Sequence, residues 1–279
     1  MKKAIFHYTI EELVPYIDWS YLLYAWGIGH GRGKAFCAEE MIADAKEILY
    51  NAGKELRTHA IFALYDAKSC GDDIIAGNVR IPLLRQQHAA EGKPNLCLSD
   101  FLSPRGGEIG FFATTVDKEF CNSGKEDDYN RLLVQSLADR LAEATATVAH
   151  RTVRTDKRYW GYATDEQLTP DELNREEYCG IRPAVGYPSL PDQSIIFIID
   201  QLLGLGDIGI ELTGNGAMYP PASVCGMMFQ HPESRYFAVG DISDEQFIDY
   251  CARRGLPQET MRRFLARNNE GALQELNID

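Results

Sequence analysis

The chain has 279 residues, a formal net charge of −13 at pH 7, and hydrophobic residues at 45% of its positions. This composition supports a sizeable core, and the negative charge argues against nucleic acid and anionic membranes as partners. Seven scattered cysteines without a CxxC pair indicate reduced thiols. No stretch approaches the roughly 20 apolar residues of a membrane span, and no leader pattern follows Met1, so a cytoplasmic protein is predicted.

The first half of the chain alternates between helical and extended patterns. Residues 38–55 carry apolar side chains at helical spacing, and a long helix is predicted from Lys125 to Val153 with acidic residues in its first turn. On that helix Asp139 and Glu143 form a like-charge i,i+4 pair, typical of a solvated face or of a site compensated by a cationic ligand. Strands are predicted at 57–67, 74–84 and 107–115.

In the second half, a short helix is predicted to begin at Thr169. Residues 192–203 predict a buried helix, although their run of five apolar residues would also suit a strand. A capping-box pattern from Ser243 to Gln246 predicts a helix that runs to Arg253. A last helix is predicted over 258–267, and the tail after about residue 268 is expected to be frayed. Three short antiparallel strands are predicted at 208–213, 223–230 and 235–240.

One turn-rich stretch, residues 180–188, reads Gly-Ile-Arg-Pro-Ala-Val-Gly-Tyr-Pro. Its two glycines and two prolines exclude a regular helix or strand and predict a shaped loop. The loop offers the Arg182 guanidinium, backbone amides and the Tyr187 ring. These groups suit a ligand that carries both a carboxylate and a positive charge.

Several other chemistries lack support in the sequence. The six histidines show neither HxxxH nor Cys/His ligand spacing, so no metal site is predicted. No nucleophile motif is present, and no catalytic acid or base is identified. Asp18 precedes an aromatic run, a position typical of a helix cap.

Many ordered motifs together resemble one family. Residues 180–188, Ala217-Met218-Tyr219-Pro220 and His231-Pro232 are similar to the activation domain of cobalamin-dependent methionine synthase. Upstream, Leu84-Arg85-Gln86-Gln87 and Tyr159-Trp160-Gly161-Tyr162-Ala163 match the same family in the same order. The resemblance covers nearly the whole chain. It implies a single domain over 1–279 of the α+β class, with a bent antiparallel β-sheet and peripheral helices.

The resemblance also implies a ligand and a role for individual residues. In that family the domain binds S-adenosylmethionine and presents its methyl group to cobalamin, so that inactive cob(II)alamin is reductively methylated. By resemblance Arg182 would bind the ligand carboxylate, Asp18 would bind the ligand ammonium group, and Glu143 would make a polar contact with the ligand. The remaining groove residues implied by the resemblance are Ala184, Gly186, Tyr187, Tyr236 and Phe237.

The implied partners are a cobalamin-binding methionine synthase module and a flavodoxin-like electron donor. Because the corrin-binding signature is missing from this sequence, action in trans on a separate corrinoid protein is expected. Two alternatives stay open: a regulatory S-adenosylmethionine-binding module, and an activator of another corrinoid methyltransferase. The chain departs from the family pattern at Gly214-Asn215-Gly216 and at Ser189-Leu190, which face the cobalamin side of the implied site.

Overall fold

A computed structural model of the protein describes residues 2–28, 35–53, 55–123 and 127–265. The strands are β1 (Lys2–Thr9), β2 (Arg57–Cys70), β3 (Asp73–Ala76), β4 (Val79–Pro82), β5 (Gly107–Val116), β6 (Glu211–Leu212), β7 (Met218–Tyr219) and β8 (Ser223–Met228). The helices are α1 (Ile10–Leu13), α2 (Trp19–Ala25), α3 (Ala35–Ala52), α4 (Lys118–Cys121), α5 (Asp128–Thr155), α6 (Pro170–Asn174), α7 (Ile195–Leu203), α8 (Asp244–Arg254) and α9 (Gln258–Leu265). Within these residues no helix is long and apolar enough to cross a bilayer.

Strand β2 is the centre of a curled antiparallel sheet. It pairs with β5 along one edge, and with β1 and then β3 along the other. The sheet continues from β5 to β8 and from β3 to β4, all antiparallel. The predicted fold class, α+β with a bent antiparallel sheet and peripheral helices, is confirmed.

Both faces of the sheet are covered, which explains why β2 and β5 are almost continuously apolar. Ile61 and Phe111 point towards α7, while Phe62 and Phe112 point towards α5, and all four are fully buried. Each such side chain contributes about 1.5–3 kcal/mol by leaving water. The two-sided core therefore holds the segments beside β8 in fixed positions.

Helix α5 begins and ends close to its predicted limits. Asp127 caps its N-terminus by accepting a hydrogen bond from the Asn130 N–H at 2.8 Å. The predicted start at Lys125 lies outside the described residues. In the middle of the helix, Thr145 Oγ1 donates to Thr58 Oγ1 at 2.8 Å and ties α5 to β2. This contact places the preceding turn of the helix, with Glu143, beside the sheet.

Several sequence predictions are corrected by the structure. β1 was not predicted, and the strand predicted at 74–84 is the hairpin of β3 and β4, which turns at Gly77 with a positive φ of 57°. Of the strand predicted at 208–213, only the two residues of β6 are extended, because Ile208 ends a 3-10 turn that begins at Leu205 and Gly209 forms a turn. Residues 235–240 form no strand, because their backbone groups bond to loop residues and side chains rather than to a neighbouring strand. The Val239 N–H donates to the Pro188 carbonyl at 2.9 Å, and the Phe237 N–H donates to Ser189 Oγ at 3.2 Å.

Helices α8 and α9 agree with the predicted helices over the described residues, except for the capping box predicted at the start of α8. Ser243 accepts from the Gln246 N–H, as a cap should. The Gln246 side chain does not complete a capping box, because its Oε1 accepts instead from the Arg85 N–H at 2.8 Å. Helix α9 is described up to Leu265, and the predicted tail after residue 268 lies beyond the described part of the chain.

Candidate functional site

The 180–188 loop lies along the free edge of β8. Ile181 and Phe229 exchange backbone hydrogen bonds of 3.0 and 2.9 Å, and the Val185 N–H donates to the Cys225 carbonyl at 2.9 Å. Because N–H directions alternate along an extended segment, the Ala184 N–H is directed away from β8. The loop is thus an irregular edge segment with one side available to a ligand.

Gly226 allows this close approach. A Cβ atom at that position would lie 2.2 Å from the Pro183 carbonyl oxygen and 2.8 Å from the Ala184 Cα. Any larger side chain would push the loop away from the sheet. Gly186 is required for a different reason: its φ of 88° favours glycine, and the turn there is closed by its N–H donating to the Leu190 carbonyl at 2.9 Å.

Arg182 projects from this loop onto α5. Its side chain is only 13% exposed, with Nη2 donating to Thr147 Oγ1 at 3.0 Å and Nη1 lying 3.4 Å from Glu143 Oε2. Nε of Arg182 has no hydrogen-bond partner among the described residues. The guanidinium is therefore held in place but retains donor capacity.

Glu143 is oriented by Tyr187 more firmly than by Arg182. The Tyr187 hydroxyl donates to Glu143 Oε1 at 2.7 Å. Burial, and then the neighbouring Glu143 carboxylate, raise the pKa of Tyr187, so the hydroxyl keeps its proton and remains a donor. The Tyr187 ring itself is 48% exposed and forms one wall of the site.

Tyr236 supports the loop from the opposite side. Its hydroxyl accepts from the Arg182 N–H at 3.0 Å and lies 3.2 Å from the Tyr178 hydroxyl. Burial raises the pKa of Tyr236 well above its usual range. Burial acts to lower the pKa of Arg182, but the surrounding Tyr178, Tyr236, Glu143 and Glu176 raise it overall, and the guanidinium is charged at neutral pH.

A buried polar layer lies beneath this cluster. Arg154, fully buried, donates to Glu166 Oε1 from Nε and Nη2 at 2.8 and 2.6 Å, and its guanidinium lies over the Tyr178 ring. His150 Nε2 lies 3.0 Å from the Tyr162 hydroxyl. Burial, and then the positive charges of Arg154 and Arg182, hold the pKa of His150 well below its usual range, so the imidazole is neutral.

A cavity of about 210 Å³ adjoins Glu143 and Tyr187. Asp139 and Arg140 of α5 and Met218 of β7 also line it. Arg140 also lies over the exposed Tyr21 ring, 4.1 Å from its centroid. Glu143 connects this cavity to Arg182, whose Nη1 lies 3.4 Å from Glu143 Oε2, and the cavity together with Arg182 is called the groove below.

Of the predicted site residues, Glu143 and Tyr187 line this cavity. Arg182, Glu143, Tyr187 and Tyr236 are joined by the hydrogen bonds described above, and Ala184 and Gly186 shape the loop between them. Two others are placed differently.

The first is Phe237, predicted to line the groove. Its ring packs in the core beside Phe101, with centroids 6.3 Å apart, and its backbone is bonded to Ser189 Oγ. The second is Asp18, which caps α2 by accepting from the Tyr21 N–H at 3.0 Å. Asp18 is thus one turn from Tyr21, whose ring lies against Arg140 of the cavity wall.

Sequence reasoning missed Thr147, Tyr178 and the Arg154–Glu166 pair. Thr147 had a signal, because it follows Glu143 by four residues and therefore shares its helix face. Tyr178 and Glu166 reach the site only through the loop between α5 and α7. No local pattern indicates such contacts.

Comparison with known proteins identifies the family to which the chain belongs. Residues 9–255 match the model of the family described as vitamin B12 dependent methionine synthase, activation domain. A similar solved structure is the crystal structure of the MetH reactivation domain bound to AdoHcy. It is 35% identical, with a TM-score of 0.87, and the match covers 100% of this chain and 91% of that one. The chain belongs to the activation-domain family of vitamin B12 dependent methionine synthase.

Proposed function

We propose that this protein binds S-adenosylmethionine in the groove between α5 and the 180–188 loop. It would use the methyl group for reductive methylation of cobalamin held by a methionine synthase module. The observation that carries the proposal is the side-by-side placement of Arg182 and Glu143, 3.4 Å apart, in a chain of the activation-domain family. The AdoHcy bound by the similar reactivation domain differs from S-adenosylmethionine by the transferred methyl group.

The polar groups of the groove match the charges of this ligand. Its carboxylate suits the planar fork of Arg182, which has an unpartnered Nε–H and only a long contact to Glu143. Its ammonium and sulfonium groups suit carboxylates, supplied by Glu143 and, at the α2 end, by Asp18. The exposed Tyr187 ring offers a face to the sulfonium or the adenine.

The protein's contribution to methyl transfer would be alignment. S-adenosylmethionine supplies an activated methyl group, and reduced cobalamin is itself a strong nucleophile, so the groove needs no catalytic base. Arg182 and Thr147 hold one end of the ligand, and the tyrosine rim leaves its sulfonium side open. The neutral His150 and the Arg154–Glu166 pair keep the Arg182 loop in place from below.

Calorimetry with S-adenosylmethionine tests the groove. Arg182→Ala should weaken binding by about 2–4 kcal/mol, because the ligand carboxylate loses its charged partner. This corresponds to roughly 30- to 900-fold in Kd. Arg182→Lys should recover only part of the loss, since an ammonium lacks the planar fork. Arg175→Ala is the matched control, because Arg175 pairs with Glu177 at the surface. Equal affinities for Arg182→Ala and wild type would remove the proposed carboxylate role.

A reductive methylation assay tests the second half of the proposal. The chain is mixed with a separately purified methionine synthase lacking its own activation domain, in the cob(II)alamin state, with reduced flavodoxin and S-adenosylmethionine. Formation of methylcobalamin that requires this chain would support action in trans. Binding of S-adenosylmethionine without methylation would favour a regulatory module. Methylation only with another corrinoid protein would favour an activator of a different methyltransferase.

A further inference from the structure

Away from the groove, a row of polar side chains crosses the sheet at one end. Strand pairing places His7 of β1 opposite His59 of β2, and His59 opposite Thr115 of β5. Thr115 in turn lies opposite Ser223 of β8. These residues continue the face that carries the buried Ile61, but they lie beyond the end of the core. His7, His59 and Thr115 border a cavity of about 450 Å³.

The two histidines face each other closely in this cavity. Their Nδ1 atoms are 2.7 Å apart, and the ring centroids are 4.9 Å apart with the planes nearly perpendicular. Directly opposite residues of an antiparallel pair have Cβ atoms about 4.5–5.5 Å apart, which lets two imidazoles converge on one point. Two ring nitrogens at this distance share one proton in a hydrogen bond.

Asp117 sets the tautomer of His59. Its Oδ1 lies 2.8 Å from His59 Nε2, and its Oδ2 accepts from the Arg57 N–H at 2.7 Å. The carboxylate is thus anchored on both oxygens, so Nε2 carries the hydrogen of His59. In the neutral ring the Nδ1 lone pair then points at His7. A carboxylate behind an imidazole is the arrangement that orients histidine ligands of metal ions.

From this geometry we propose that His7 and His59 bind a zinc ion through their Nδ1 atoms, with Asp117 orienting His59. Imidazole nitrogen is a preferred zinc ligand. On binding, His7 Nδ1 releases its proton to solvent and the ring takes one up at Nε2, so the metal replaces the shared hydrogen without a net change in protonation. The spacing between Nδ1 atoms would widen slightly to admit the ion.

The surroundings favour a cation and leave the site open. The cavity wall carries the carboxylates of Glu119, Asp207 and Glu211 against the single ammonium of Lys118, although Asp207 is already paired with Lys3 at 2.7 Å. Among the described residues no group of three or more histidine, cysteine or acidic side chains has metal-ligand geometry. The site is therefore a two-imidazole site, and water or a ligand entering the cavity would complete the coordination.

Isothermal titration with Zn²⁺ alone tests this assignment on chelator-treated, tag-free protein. One equivalent should bind the wild type, and His7→Ala and His59→Ala should each abolish that binding. Asp117→Asn should weaken it by roughly 10- to 100-fold, the usual effect of losing an orienting carboxylate. The exposed His88 lies outside the cavity, and His88→Ala should bind like wild type.

Spectroscopic measurements distinguish a loss of metal binding from misfolding of a variant. His7 is exposed on an outer strand, so His7→Ala should keep the wild-type circular dichroism spectrum. Cu²⁺ bound to the wild type should show coupling to two nitrogen nuclei in its electron paramagnetic resonance spectrum, and this signature should be absent in His7→Ala. Zinc binding unchanged in folded His7→Ala, or no Zn²⁺ bound by the wild type, would overturn the proposal.

Discussion

The groove around Arg182 and the cavity around His7 and His59 are built on the same sheet, but they are supported differently. Arg182 rests on a buried layer in which Arg154, Glu166 and His150 are tied to one another through Tyr162 and Tyr178. The histidine pair has no such layer and depends on strand register and Asp117. The groove should therefore be coupled to the stability of the fold, and the histidine cavity should not.

Removing a buried charge beneath the groove should have the largest effect. Glu166→Ala leaves Arg154, which is fully buried, without its ionic partner. We expect a loss of about 3–5 kcal/mol in the free energy of unfolding, measured by urea denaturation. The matched control is Glu177→Ala, whose partner Arg175 is largely exposed and which should cost only about 0–1 kcal/mol. Similar losses for the two variants would contradict the proposed coupling.

Pushing the loop away from the sheet should have the next largest effect. In Gly226→Ala the added Cβ meets the Pro183 carbonyl oxygen and the Ala184 Cα. We expect about 1–3 kcal/mol of destabilisation, together with weaker binding of S-adenosylmethionine by calorimetry, because the Arg182 loop must shift. Gly206→Ala adds a Cβ with no atom within 4 Å and serves as the control. An affinity of Gly226→Ala for S-adenosylmethionine equal to that of the wild type would show that the groove tolerates displacement of the loop.

Acid should weaken the protein partly through His150. Burial, followed by the charges of Arg154 and Arg182, holds the pKa of His150 in the folded protein well below the ordinary 6.5. Below that pH the unfolded chain therefore binds a proton at His150 that the folded protein does not bind. Stability is then greatest above pH 6.5 and is lost as the pH falls below it. Relative to His150→Gln, the wild type should lose about 1.4 kcal/mol more per pH unit in the lower part of that range. Parallel stability curves for the two proteins would exclude a buried neutral His150.

The smallest effect is expected at the histidine cavity. In metal-free protein, His7→Ala should change the free energy of unfolding by no more than about 0.5 kcal/mol, because His7 is exposed on an outer strand. The measurement is the same urea denaturation used for Glu166→Ala. A loss comparable to that of Glu166→Ala would show that both sites are part of one cooperative network, and the contrast between them would disappear.

The sequence by itself determined the local features of this protein. The glycines and prolines of 180–188 predicted a shaped loop, and Arg182 and Tyr187 within it were found as candidate ligand groups. Apolar spacing located α5 and α7, because helix periodicity and capping depend on neighbours a few residues away. The ordered motifs, and the family resemblance they carry, also came from short stretches.

Only the tertiary structure decided how distant segments meet. His7 and His59 are 52 residues apart in sequence and become neighbours through the register of β1 on β2. Residues 235–240 had the pattern of a strand, but the Val239 N–H bonds to the Pro188 carbonyl and the Phe237 N–H to Ser189 Oγ instead. Strand pairing and loop docking depend on which polar groups find partners across the fold. A local pattern fixes the shape of each segment and leaves its partner undetermined.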